Sequence, residues 1–237
     1  MAIDTSALNP LGISGRGNRA GFHSEGKMKN SWYLVAALMT CSAPAFASEA
    51  MTSEGLWLKG SLAATSAAYG TDATVIDTNG DAYDVTSSIY GVAPDLRLSV
   101  GKVVAPDWVL QANFGLNRLA EPDLKVEVDG EEVDSGSSSS TTQLISVTAG
   151  TTRYFGAASV TGRIGYASWS EKGTKSTTDI GSGVLYGVGV DYDFFTSSSV
   201  RAGLGFSFDL ANLTPDANKN YDVGYSALGL VLNGTFF

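Results

Sequence analysis

From Glu54 to the C-terminus, apolar and polar residues alternate with period two, the spacing that sends successive side chains to opposite faces of a strand. Leu96, Leu98 and Val100 alternate with Asp95, Arg97, Ser99 and Gly101. Trp108, Leu110, Ala112, Phe114 and Leu116 alternate with Val109, Gln111, Asn113, Gly115 and Asn117. The same holds for Val160, Ile164 and Tyr166, for Val184 to Tyr192, and for Val200 to Phe208. Noisier alternation marks Leu56 to Tyr69, Gln143 to Tyr154 and Tyr221 to Phe236. The pattern predicts eight strands.

The expected connections alternate in length. Short ones fall at 104–107, 155–158 and 196–199, and long polar ones at 70–87, 119–141, 171–181 and 211–220. Three short turns and four long loops suit an eight-stranded up-and-down barrel with both termini on the short-turn side. Two long loops carry hairpin signals, Asn79-Gly80 and Asp129-Gly130, the pairs preferred where both central residues of a turn need φ > 0. They predict ribbons projecting from the barrel, with a flexible Ser135–Ser140 stretch behind the second.

One face of these strands is an almost unbroken set of Leu, Val, Phe and Tyr; the other mixes Arg, Asp, Asn, Gln, Ser and Gly. Eight strands enclose just enough room for side chains. Arg97, Arg163, Asp191, Asp193, Arg201 and Asp209, with glycines beside them, therefore predict a packed polar interior. Asp193 and Arg201 flank a short turn on a shared face and are expected to salt-bridge. The apolar face then meets lipid. Aromatics at strand ends (Trp108, Tyr154, Phe155, Tyr192, Phe194, Phe195, Phe236 and Phe237) suit the girdles at the membrane interfaces. The fold class expected is all-β: an eight-stranded antiparallel up-and-down transmembrane β-barrel with long external loops and short periplasmic turns. Pro94 is expected at a bulge near the outer rim. A soluble periplasmic ligand-binding barrel is the rival, with the apolar face turned inward.

The start of the chain reads differently. Residues 1–27 carry no apolar periodicity and read as an over-long start or a leader. Residues 28–47 read as a signal peptide, with Lys29, the apolar Trp32–Met39 and a small-residue site at Ala45-Phe46-Ala47, so that Ser48 begins the mature chain. The barrel then occupies 48–237. Cys41 and His23, the only Cys and His, precede the cut. The mature chain accordingly has no thiol nucleophile, imidazole base or imidazole metal ligand. Four basic residues (Arg16, Arg19, Lys27, Lys29) and two acidic ones (Asp4, Glu25) also precede it, moving the net charge from −9 to −11. Such a chain repels nucleic acid, whose binding depends on phosphate neutralisation.

The chain ends on an alternating strand, Leu228, Leu230, Leu232, closing in Phe236-Phe237. This resembles the C-terminal insertion signal of bacterial outer-membrane proteins, and the whole mature chain is similar to the small OmpX, Ail and opacity-protein class. The resemblance implies outer-membrane localisation, contact with lipid and lipopolysaccharide, and delivery by the barrel assembly machinery. The apolar parity of the last strand leads to Phe236 rather than Phe237, which leaves either a bulge or recognition through Phe236.

The remaining chemistry is sparse. Asp77, Asn79 and Asp81 have the first spacings of a calcium loop, but Gly80 comes two places early and Ser88 stands where a Glu is needed; a hairpin turn explains the same residues. Glu127, Asp129, Glu131, Glu132 and Asp134 read as a solvated loop tip. Asp191, Asp193 and Asp209 read as interior ion-pair partners rather than as a hydrolytic carboxylate pair. No catalytic, metal or cofactor residue is nominated. The expected function is a non-enzymatic surface protein whose hairpins contact a host surface, a neighbouring cell or lipopolysaccharide; the alternative is a narrow channel for small solutes.

Overall fold

The structure is a computed structural model that describes residues 55–76, 79–137, 140–172, 177–215 and 222–237. The leader, the Ala47/Ser48 cleavage site, Cys41 and Asp77 lie outside the described residues. Among the described residues the elements are all strands: β1 (Leu56–Ile76), β2 (Ala82–Ala105), β3 (Trp108–Ala120), β4 (Asp123–Val128), β5 (Glu131–Ser137), β6 (Thr141–Phe155), β7 (Ala158–Lys172), β8 (Thr177–Thr196), β9 (Val200–Pro215) and β10 (Val223–Phe236). Eight of them close into a ring in the order β1-β10-β9-β8-β7-β6-β3-β2, and β2 returns to β1. Each pairing is antiparallel. Closure leaves the wall without an edge, the condition a strand-built protein must meet to cross lipid.

Burial follows the alternation. Along β9, Arg201, Gly203, Gly205, Ser207 and Asp209 are buried, while Leu204, Phe206 and Phe208 are exposed. The outward set continues round the ring through Leu62, Val92, Leu98, Leu110, Phe114, Val147, Ile164, Tyr166, Val190 and Leu230. On β10 the apolar outward face runs from Leu228 to Phe236, the 9 to 11 residues a tilted strand needs to span a bilayer.

Above that band the sign of the alternation reverses. On β7 the outward residues change from Ile164 and Tyr166 to Ser168, and the inward ones from Arg163 to Ala167 and Trp169. On β9 the inward set passes from Asp209 to Ala211 and Leu213, with Asn212 outside. Between an apolar floor at the periplasmic end and the outer limit of the lipid-facing band the barrel is polar inside, and above the band it is apolar inside. The expectation of a polar interior holds only for the membrane-spanning part.

Much of what the sequence suggests is loop is strand. β1 and β2 stay paired to Ile76–Ala82, six residues beyond Gly70, where β1 parts from β10. β4 pairs with the outer part of β2, from Val85–Val128 to Tyr90–Asp123, and β5 pairs with β4. The result is a protruding sheet, β1-β2-β4-β5, with β5 at its edge. Ser135–Ser137, expected to be flexible, belong to β5. Pro94 is not at a bulge: its pairing with Ala64 keeps the β1–β2 register. It stands one residue beyond the last β2–β3 pair, Asp95–Asn117, where β2 exchanges β3 for β4 as its neighbour.

Candidate functional site

Two parts of the molecule concentrate chemistry: the lumen and the protruding sheet. The lumen has three tiers. At the periplasmic floor, Trp57, Val109 and Tyr154 form a buried cluster against which Val103 and Phe237 pack. Trp57 Nε1 donates to Tyr154 Oη at 3.2 Å. The Arg201 guanidinium lies 4.9 Å from the Tyr154 ring and 5.5 Å from that of Phe237, donates to the Gly156 carbonyl at 3.1 Å, and faces Asp193 at 3.6 Å. Tyr154 and Phe237 thus point into the barrel and do not belong to the lipid girdle suggested by their position at strand ends. Trp108, Tyr192, Phe194, Phe195 and Phe236 are exposed on the outside. β10 reaches Phe236 with its register unbroken against both β1 and β9, so no bulge precedes the terminus. Phe236 keeps the lipid-facing parity, and Phe237, its N–H bonded to the Ser199 carbonyl at 3.1 Å, turns inward.

The middle tier is ionic. Asp209 accepts from Arg163 at 2.6 Å and from Arg97 at 2.9 Å, and Arg97 also donates to Asp95 at 3.2 Å. Below them Asp191 accepts from Lys59 at 2.6 Å and from Asn233 at 2.9 Å. Gln111, Asn113, Thr148, Thr152 and Thr161 bond to one another across β3, β6 and β7. The glycines have a steric role here. Gly187, Gly205 and Gly203 stand directly across from Asp209, Asp191 and Asp193, and a Cβ at each would collide with the carboxylate opposite. Among these side chains lies a cavity of about 30 Å³ bounded by Lys59, Arg97, Gln111, Arg163 and Asp191, room for one or two waters. The outer tier is apolar. Tyr69 stacks on Trp169 at 5.1 Å and meets Tyr225 at 4.9 Å, within a cluster that includes Ile89, Leu119, Leu144, Leu185 and Leu213.

All six anticipated interior charges lie in the lumen, but reading them alone misses Lys59, Asp95 and Asn233. Parity could have found Asp95, which shares the face of Arg97, and Lys59, which shares that of Ser61 on a noisier strand. The outer aromatic tier carried a signal as well: Trp169 breaks the parity of Ile164 and Tyr166.

In the protruding sheet, Asp129 (φ 52°) and Gly130 (φ 83°) both occupy the left-handed region, as a two-residue type I′ turn requires. Gly80 (φ 92°) does so in the β1–β2 ribbon beside Asn79. The two ribbons are tied together: Asp129 N–H donates to the Asp84 carbonyl at 2.8 Å, and Asp84 N–H to the Asp129 carboxylate at 2.9 Å. Lys125 bonds Glu127 at 2.5 Å and lies 3.6 Å from Glu132. The hydrogen bond to Glu127, then its charge, hold the Lys125 ammonium above the ordinary lysine range. The seven residues of β5 are all exposed.

The family comparison agrees with this wall. A profile described as "Outer membrane protein beta-barrel domain" matches residues 33–236. The chain belongs to that family. This outer-membrane barrel is also similar to solved structures. Neisserial surface protein A is 12% identical over 75% of this chain and 96% of its own, with a TM-score of 0.46. The attachment invasion locus protein Ail of Yersinia pestis is 16% identical over 75% and 97%, with a TM-score of 0.40. The outer membrane protease OmpT of Escherichia coli is 8% identical over 81% and 99%, with a TM-score of 0.41. A comparison with curated protein sequences found no match. The protein resides in a bacterial outer membrane and sits in lipid. A barrel of this kind does not by itself decide chemistry, since function lives in sites carried by the fold.

Proposed function

We propose that this outer-membrane barrel is a non-enzymatic surface protein that holds a rigid β-sheet outside the cell for contact with another surface. The observation that carries the reading is the protruding sheet itself, braced at Asp84–Asp129 and ending in β5. An edge strand presents unpaired N–H and C=O groups along its length, a template for an extended segment of a partner. Glu131, Glu132 and Asp134 along β5 favour a basic partner over a second acidic copy, either on a host or neighbouring cell or as a cation bridging to lipopolysaccharide phosphate. The interior carboxylates support the non-enzymatic part: Asp191 and Asp209 accept from cations at hydrogen-bond distance, and Asp193 faces Arg201. Delivery through the barrel assembly machinery, with Phe236 as the outward-facing terminal aromatic, belongs to the same reading.

The test compares cells carrying the full chain with cells carrying a 121–139 deletion or a D134P variant. The reading expects reduced adhesion or serum resistance with the barrel still heat-modifiable on gels. Unchanged adhesion, complement resistance and membrane barrier function would reject it.

The channel reading draws on the water-sized cavity in the middle tier. The ion pairs that bound it and the aromatic tier above it argue against a path. Steady conductance steps in single-channel recordings of the reconstituted protein would favour the channel.

A further inference from the structure

Cations inside this barrel and cations on its lipid-facing wall are treated differently. Lys59, Arg97, Arg163 and Arg201, all inside, each face a carboxylate within 4.0 Å. Lys102, Arg118, Arg153 and, at the outer end of β7, Lys172 are exposed and make no ion pair among the described residues. They share one sector, the adjacent strands β2, β3, β6 and β7. Two of them lie at its periplasmic end. Arg153 is two residues from the end of β6 and directly opposite Trp108, and Lys102 is opposite Leu110 on the other side of the same strand.

Arg153 is held in place without a counter-ion. Its guanidinium sits 5.3 Å from the Trp108 ring centroid and 4.7 Å from that of Phe155. Both rings lie beside the short periplasmic turns, at the depth where aromatics mark the membrane interface. Asp107, in the adjoining turn, forms no ion pair with it; its carbonyl accepts Tyr154 N–H. Aromatic faces orient a guanidinium but leave its N–H donors unfilled. In a lipid-facing position at headgroup depth, the group able to fill them is a lipid phosphate, which takes a forked pair of bonds from Arg and a point charge from Lys.

We propose that Arg153 and Lys102, with Trp108 between them, form a binding site for the headgroup of an anionic phospholipid in the periplasmic leaflet. The net charge of −9 repels such lipids in general, so a preference at this sector is local. The carboxylates responsible for the lumen's share of that charge are inside and paired, and those of β5 are at the opposite end of the barrel.

Trp108 reports on the site. Trp57 and Trp169 are buried inside the barrel, whereas Trp108 faces lipid. The fourth tryptophan, Trp32, lies outside the described residues and is changed to Phe in every chain tested, so short-range quenching by brominated acyl chains reads Trp108. The protein, extracted from outer membranes, is reconstituted in zwitterionic vesicles containing brominated phosphatidylglycerol or brominated phosphatidylcholine at equal fraction. Each cation near a membrane surface contributes about 1 kcal/mol, or about fivefold in affinity, toward an anionic lipid. The wild type should prefer phosphatidylglycerol by about fivefold or more. The double variant K102Q/R153Q should bring the ratio close to one, and K102R/R153K should retain a preference. Should the double variant lose its heat-modifiable band, K102Q and R153Q are read singly, each losing part of the preference. Equal quenching by the two lipids in the wild type overturns the proposal. So does a preference that survives K102Q/R153Q, or one that disappears in R118Q instead, which would place the site at the outer rim.

Discussion

Arg163 on β7 reaches past Gly187 of β8 to Asp209 on β9, donating through Nε at 3.1 Å and Nη2 at 2.6 Å to the same carboxylate oxygen. The two residues are on strands that do not pair, and the ion pair crosses the intervening one at a glycine. A Cβ at Gly187 would occupy the space of both the carboxylate and the guanidinium. The contact is therefore specified by three residues on three strands.

The first prediction tests that glycine. G187A should cost about 1–3 kcal/mol by overpacking. G60A should change stability by less than about 0.5 kcal/mol, because a Cβ there meets nothing within 4 Å. Urea titration of the protein folded in vesicles, followed by heat-modifiable mobility, compares them. Equal midpoints for the two variants would show that the ion pair has room the geometry denies it.

Asp209 serves two arginines, and losing its charge should be the most damaging single change in the lumen. Arg97 would keep Asp95, but Arg163 would keep no carboxylate while remaining buried. Removing one partner of a buried pair costs about 3–5 kcal/mol. D209N should approach that figure. D191N should cost less, since the flexible Lys59 stem can carry its ammonium elsewhere. The same urea titration checks the order, and D191N equal to or worse than D209N would contradict it.

How much of this was legible follows from which constraint acts locally. Strand parity is local, so Leu204, Phe206 and Phe208 against Arg201 and Asp209 predict the wall, its closure and its polar middle. The reversal of parity above the membrane is local too, visible at Trp169 and Leu213, but it looks like noise until the level of the bilayer is known. The inward turn of Phe237 was half visible, since the parity of Leu228 to Leu232 puts Phe236 outside, but that of Tyr154 was hidden for another reason. A girdle aromatic and a floor aromatic have the same chemistry and the same place at a strand end, and only register separates them. The β2–β4 pairing was least visible, because it depends on β3 leaving β2 at Asn117 and on the Asp84–Asp129 bonds between two distant ribbons.

Phe206 and Val133 are similarly exposed, at 63% and 57%, but to different solvents. Phe206 lies in the middle of the apolar band and Val133 on β5. F206R should destabilise the folded barrel by about 2–4 kcal/mol, the cost of Arg near the bilayer midplane. V133R should stay within about 0.5 kcal/mol of wild type, as surface changes in water do. Comparable losses at both positions, measured by urea titration in vesicles, would mean that the membrane boundary is misplaced along the strands.

The last two residues separate assembly from stability. Phe236 points to lipid, whereas Phe237 turns inward, with its ring 6.5 Å from Tyr154 in an edge-on arrangement and under the Arg201 guanidinium. An aromatic pair contributes about 0.5–1.5 kcal/mol and a partly desolvated cation–π contact about 1 kcal/mol. F237A should therefore lower the unfolding free energy by about 1–2 kcal/mol, with little change in how much protein reaches the outer membrane. F236A should do the reverse: stability close to wild type, but less protein in the washed outer-membrane fraction. Quantitative blotting of that fraction, alongside urea titration of the purified variants, measures both. If F237A empties the membrane fraction while F236A fills it normally, recognition reads the final residue before it turns inward, and the outward parity of Phe236 serves lipid contact alone.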